Sequence, residues 1–308
     1  MASARIQAST KANSNGKTKE SAPERLPVQK TYKIYIGGKF PRTESGRFLR
    51  VDGPGGEHVA NICFSSRKDF REAVVVARKA FESWSMVSAF NRSQILYRIA
   101  EMLEGRKTQF IEEQVALGTS AKVAEKDILD SIDRLIYYAG WADKFQQVFS
   151  SVNPVSSSHF NFSMLEPTGV VTAIAPDDKG LLGLVSIIAP VICGGNTIIV
   201  SASEKQPLNA ISFAEVLNSS DVPGGVVNIL TGKASELIGH YSSHMDVNAI
   251  IYARNDKAQE NKIRENAVRN IKRSYTWYRA DWAVADGANP YYILDCQETK
   301  TTWHPVGI

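Results

Sequence analysis

The stretch VVTAIAPDDKGLLGLVSIIAPVICGGNTIIV, residues 170–200, decides the fold class. Val170–Ala175 and Thr197–Val200 are short β-rich runs, and Leu181–Cys193 between them is an apolar segment of helical length. Strand, helix, strand in that order is a crossover unit, and crossover units build a parallel sheet covered by helices on both faces. The rhythm continues downstream: Val226–Leu230 and Ala249–Tyr252 read as further strands, 207–218 and 234–241 as further helices. Pro207 suits the first turn of its helix, where its missing N–H costs little. Pro223-Gly224-Gly225 makes a turn before the next strand. The fold class is α/β.

Toward the N-terminus, apolar residues recur at helical spacing from Lys68 to Trp84 (Phe70, Ala73, Val74, Ala77, Ala80, Phe81). Further helices are predicted over 91–104, 107–117 and 122–147. Two short strands, Lys33–Ile36 and Arg47–Val51, open the folded part around a Gly37-Gly38 turn. Residues 148–166 alternate polar and apolar as a pair of strands around Pro154 to Ser158. Tyr291–Trp303 is a last β-capable segment, set off by a turn at Gly287-Ala-Asn-Pro290.

Composition narrows the function classes. Of 308 residues 43% are hydrophobic, an ordinary globular content, and the net charge of +4 implies neither a nucleic-acid nor a membrane partner. A local basic excess between Arg254 and Arg279 reads as a solvated face. No apolar run reaches bilayer length. Cys63, Cys193 and Cys296 are too scattered for a disulfide framework, and no C-x-x-C pair or His spacing suggests a metal site. Residues 1–30 are rich in Ser, Ala, Lys and Asn, lack the apolar region of a signal peptide, and are expected to be a flexible tail. A reducing, cytoplasmic setting follows as the expectation.

Several phrases belong together: Tyr137-Tyr-Ala-Gly-Trp-Ala-Asp143, Glu166-Pro-Thr-Gly-Val170, Gly194-Gly-Asn-Thr197 and Pro223-Gly-Gly-Val-Val-Asn-Ile229. With them, residues 33–252 resemble the nucleotide-binding part of an aldehyde dehydrogenase. The resemblance implies a Rossmann-like parallel sheet over 31–147 and 167–280. It also implies a small antiparallel set of oligomerisation strands at 148–166 and 290–308. Gln297-Glu-Thr-Lys-Thr-Thr-Trp303 is similar to the closing strand of that family, which joins the hairpin used for subunit association.

The chemistry that the resemblance implies is altered at each step. Where the family has Pro-Trp-Asn-Phe-Pro, with its oxyanion-holding Asn, this chain reads Pro176-Asp-Asp-Lys-Gly180 and places Asp178. An ionised carboxylate cannot donate a hydrogen bond, and loss of such a donor costs about 3–4 kcal/mol in barrier. Where the family has Lys-Pro-Ala-Glu, the chain reads Ser201-Ala-Ser-Glu204, so Glu204 is the one retained cofactor-binding candidate. Phe-Thr-Gly-Ser becomes Tyr252-Ala-Arg-Asn255, and a long side chain at 254 obstructs the approach that a glycine allows a phosphate. Arg254 and Lys257 could instead draw phosphate by charge, against the field of Asp256. Asp256-Lys-Ala-Gln259 reads as a reciprocally capped helix start.

In place of the base-carrying Glu-Leu-Gly-Gly-Lys stands Ser274-Tyr-Thr-Trp-Tyr-Arg279, and no Gly-Gln-x-Cys segment follows. Cys296 is read as a strand residue; its neighbour Asp295 would raise a thiol pKa, not lower it. No residue is therefore assigned as catalytic or as a metal ligand. No cofactor is expected, with NAD(P) bound weakly if at all. The arrangement resembles the non-catalytic second unit of the two-unit aldehyde dehydrogenases of family 16. It implies a pseudoenzyme that forms a homo-oligomer or joins a catalytic aldehyde dehydrogenase subunit. The alternatives are a working NAD(P)-dependent aldehyde dehydrogenase and a weak nucleotide-binding module.

Overall fold

A five-stranded parallel sheet carries the centre of the protein in a computed structural model, which describes residues 28–178, 180–279 and 281–307. The tail expected over 1–30 lies, for residues 1–27, outside the described residues. Thr31–Ile308 make one compact unit.

In chain order, β1 (Thr31–Tyr32), β2 (Phe48–Asp52) and β3 (His58–Cys63) form a small sheet. Helices α1 (Arg67–Ser85), α2 (Ala89–Ala116), α3 (Ala121–Trp141) and the short α4 (Phe145–Phe149) follow. A hairpin of β4 (Ser151–Asn153) and β5 (His159–Pro167) leads into the central unit: β6 (Val170–Ile174), α5 (Leu181–Cys193), β7 (Thr197–Ser201), α6 (Pro207–Asn218) and β8 (Val227–Leu230). Next come α7 (Ala234–Ser243), β9 (Ala249–Tyr252), α8 (Lys257–Ala267) and β10 (Arg273–Thr276). The chain closes with α9 (Tyr291–Leu294) and β11 (Gln297–Pro305).

The central order is β10-β9-β6-β7-β8, every pair parallel. The chain winds outward from β6 through β7 to β8, then returns to the other side of β6 for β9 and β10. The winding direction therefore reverses between β6 and β9, and that reversal opens a crevice beyond the carboxyl ends of the strands. The β-rich runs lack a polar face because each strand feeds two cores. Val171, Ala173, Ile198, Val200 and Ile251 pack into the core with α2, α3, α5 and α6. Val170, Ile174, Ile199, Ile250 and Tyr252 pack into the core with α1 and α7. Every residue of α5 is buried, so its all-round apolarity is that of a central helix.

The α1 stripe holds at Phe70, Ala73, Val74, Ala77 and Ala80, which are buried, and not at Phe81, which is half-buried at the edge of that face. At the N-cap, Ser66 donates from its amide and from its hydroxyl to the Asp69 carboxylate, each at 2.7 Å.

The helices expected at 91–104 and 107–117 are a single helix, α2, running through Gly105. A glycine costs about 1 kcal/mol there, and the burial of Leu103 and Phe110 on either side outweighs it. The segment 122–147 instead divides after Trp141. The opening strand is Thr31–Tyr32, not 33–36; Tyr35 instead exchanges backbone bonds with Ile229, at the edge of the central sheet. Strands β3 and β10 went unread, β10 because its residues are only half-buried.

The closing segment needs a larger correction. Tyr291–Leu294 is a helical turn, Cys296 lies in the turn after it, and only Gln297–Pro305 is strand. Docking explains the difference, because a helical turn places Tyr292 and Ile293 together in the main core. Beyond it β11 pairs antiparallel with β5 over its full length, Gln297 opposite Pro167 and Pro305 opposite His159. The resulting sheet, β11-β5-β4, is the platform expected of the hairpin and terminal strand.

Two of the sequence phrases act as clasps. Asn196 is fully buried; its Oδ1 accepts from the Gly169 amide at 2.8 Å and its Nδ2 donates to the Cys296 carbonyl at 2.8 Å. Gly194-Gly-Asn-Thr197 thereby ties Glu166-Pro-Thr-Gly-Val170 to the closing segment. Asn228 accepts from the Gly37 amide and donates to the Gly225 carbonyl. A Cβ at Gly38 would stand 3.1 Å from the Gly224 Cα, and φ there is +76°. Glycine on both turns permits that approach.

Candidate site at the ends of strands β6, β7 and β9

A cleft of about 350 Å³ lies where the winding reverses, lined among others by Asp177, Asp178, Lys205, Arg254, Asp256 and Tyr278. Crevices at this place in open α/β sheets hold nucleotides, with phosphates at a helix N-terminus and a carboxylate at the ribose. Glu204 stands just beyond β7, the right place for such a carboxylate.

Its carboxylate is engaged from within the chain. Glu204 Oε1 accepts from Arg254 Nη1 at 2.6 Å and from the Ala234 amide, the first residue of α7, at 3.1 Å. Arg254 Nη1 also lies 3.0 Å from Asp177 Oδ2, while its Nε donates to the Ala175 carbonyl at 2.9 Å. Asp177 in turn accepts from the Glu204 amide at 2.7 Å. The Arg254 side chain is 14% exposed, and its guanidinium spans the ends of β6, β7 and β9. With two carboxylates at hand its charge is compensated within the chain. Lys257 likewise pairs with Glu260 at 3.0 Å.

The neighbouring positions are also filled. Ser201 hydrogen-bonds the Tyr241 hydroxyl at 2.9 Å, and burial raises the Tyr241 pKa. Asp256 caps α8, accepting from the Ala258 amide at 3.0 Å and the Gln259 amide at 3.1 Å, so an internal carboxylate holds the α8 N-terminus. The cap runs one way: Gln259 Oε1 accepts from the Tyr252 hydroxyl at 3.4 Å and does not return to Asp256. Asp178 sits exposed at the rim, as a solvated acidic loop would.

None of the thiols is poised as a nucleophile. Cys63, Cys193 and Cys296 are all buried. Burial pushes the Cys193 thiol up to about 12, and burial reinforced by Asp295 raises Cys296. Among the described residues no three His, Cys, Asp or Glu side chains gather as a metal site, and no helix is long and apolar enough to cross a membrane.

After β10 the chain takes a short route home. Trp277 and Trp282 are buried, and Trp277 Nε1 donates to Asp295 at 2.8 Å. Arg134, buried in α3, donates to Ser186 Oγ at 2.5 Å, to the Trp282 carbonyl at 2.7 Å and to the Gly287 carbonyl. Sequence reading missed Arg134 and the Arg254 pairing. A signal for the latter did exist: an arginine entering the turn while Glu204 persists is a charge pair in waiting.

The fold is a doubly wound α/β domain with a cleft at its reversal point. The family model "Aldehyde dehydrogenase family" matches residues 41–276, and the chain belongs to that family. It is 31% identical over 252 residues to a putative aldehyde dehydrogenase, DhaS, of Bacillus subtilis, covering 80% of this chain and 50% of that protein. It is 30% identical over 256 residues to cytosolic aldehyde dehydrogenase 1 of Elephantulus edwardii, covering 80% and 50%. The structure resembles that of an aldehyde dehydrogenase from Bacillus cereus in complex with NAD+, with a TM-score of 0.76, 25% identity, and coverage of 80% of this chain and 50% of that one. The chain spans about half the length of the curated relatives it matches.

Proposed function

We propose that this chain is a non-catalytic aldehyde-dehydrogenase-like subunit that acts by association, pairing its terminal strand with a second copy or with a catalytic aldehyde dehydrogenase subunit. The observation that carries this reading is β11. Its inner side is paired with β5 along nine residues, its other side pairs with no strand among the described residues, and Thr299 to Pro305 are exposed. An open strand edge is a template for another chain. The buried thiols and the acid at 178 support the same reading from the side of chemistry. The likeness to the second unit of family 16 enzymes and a cytoplasmic setting belong to this proposal. Light-scattering mass of the chain alone, and mixed with catalytic subunits, tests it; a monomer under both conditions refutes it.

No cofactor is needed by such a subunit. The melting transition is expected to stay in place in sub-millimolar NAD, although a ligand at 100 times its dissociation constant would add about 2.7 kcal/mol. A clear upward shift would favour the nucleotide-binding module instead.

Asp178→Asn is expected to create no aldehyde oxidation. It restores a hydrogen-bond donor, but no activated thiol faces the cleft, and catalytic groups act as a unit. NADH formation that depends on this substitution would favour a working dehydrogenase.

A further inference from the structure

We propose that Arg254 is a built-in occupant of the cleft, and that its side chain, not loss of the cavity, bars a nucleotide's ribose from Glu204. The inference rests on the reading of the chain as a non-catalytic subunit and concerns a different part of it.

Three observations lead there. The cavity persists, at about 350 Å³, at the reversal point of the sheet. A carboxylate persists beyond the second strand of the crossover unit, where doubly wound sheets bind ribose hydroxyls. That carboxylate is not buried in a core; it is held by the α7 amide of Ala234 and met by Arg254, which itself lines the cleft beside Asp177 and Lys205. A guanidinium presents N–H donors in a fixed planar fork, as a ribose diol presents two hydroxyl donors. Arg254 reaches Glu204, Asp177 and the carbonyls of Ala175 and Ala202, which tie together the ends of β6, β7 and β9. It satisfies the acceptors that a ligand would otherwise satisfy.

A ligand must therefore displace Arg254 and leave a cation without its two carboxylates. Shortening the side chain removes that barrier while leaving Glu204 on the Ala234 amide. The ligand class is an adenine nucleotide with free ribose hydroxyls, probed with ADP-ribose and with NAD.

Arg254→Ser tests the idea by calorimetry with millimolar ADP-ribose on the full chain. Because Glu204 and Asp177 then repel each other, Arg254→Ser/Asp177→Asn is the companion variant. Either is expected to bind at least about ten-fold more tightly than the unaltered chain, and adding Glu204→Gln should reverse the gain. Folded variants that bind no better overturn the proposal, as does an unaltered chain that binds equally well. Loss of cooperative unfolding in both variants overturns it too, since the side chain would then be part of the fold. Light-scattering mass of the same samples is expected to be unchanged. A failed nucleotide arm thus leaves the association reading intact, and a chain that never associates leaves the nucleotide arm readable.

Discussion

A chain ending at Gln297 is expected to fold and to lose its partner. Residues 298–305 are the outer part of β11, largely exposed, and contribute to the rest of the molecule chiefly through β5. The ion pair between Arg273 and Glu298 goes with them, but partly exposed pairs contribute only about 0–1 kcal/mol. The position of the cut matters. Removing everything from Pro290 onward also takes Ile293 and Cys296, both fully buried, and the Gln297 amide that bonds the Gly194 carbonyl at 3.0 Å. Deleting one buried aliphatic side chain costs about 2–5 kcal/mol, which is a large part of a domain's total stability. The longer truncation is therefore expected to unfold the protein and say nothing about association. For the shorter one, light scattering and co-elution with the partner decide, with a thermal melt as the control. A shortened chain that melts normally and keeps its full oligomeric mass would make β11 ordinary packing.

The second large effect is expected at Asn196. Asn196→Ala strips the buried Gly169 amide of its acceptor, while the Cys296 carbonyl loses one donor and keeps the Thr168 amide at 3.2 Å and Gln297 Nε2 at 3.0 Å. The one orphaned amide costs about 1–3 kcal/mol, so a loss of about 2 kcal/mol is expected in denaturant unfolding. Asn196→Asp should do no better, because a carboxylate cannot donate to Cys296 and carries a charge into the core. The loss should also appear as faster amide exchange in the closing segment, since the clasp joins that segment to the central sheet. A loss below about 1 kcal/mol would mean that Gln297 and Ile293 hold the segment unaided.

Much of the fold was legible because it depends on period. The α1 stripe states which face is buried, and the unbroken apolar runs of β6, β7, β8 and β9 state that both faces are. Segments with weaker local statements were misread. Arg273–Thr276 shows no apolar run because it is a half-buried strand at the edge of the sheet. Tyr291–Leu294 is built of residues that favour strands and becomes a helical turn because that shape delivers Tyr292 and Ile293 to the core.

The site divides along the same line. By itself, the sequence determined the α/β class, the crossover units and the family. It also determined what is chemically out of place: an acid at 178, a serine at 201, an arginine at 254. Those are statements about residue type and local spacing. Tertiary structure alone decided what Glu204 does, because its partner Arg254 lies fifty positions away and meets it only when β9 returns beside β6. It likewise decided that Asn196 clasps a carbonyl one hundred residues on, and that Arg134 anchors the route from β10 to β11. Periodicity is written into neighbouring residues. A contact between distant ones exists only once the sheet order has brought them together, and one chain carries no record of that order apart from its fold.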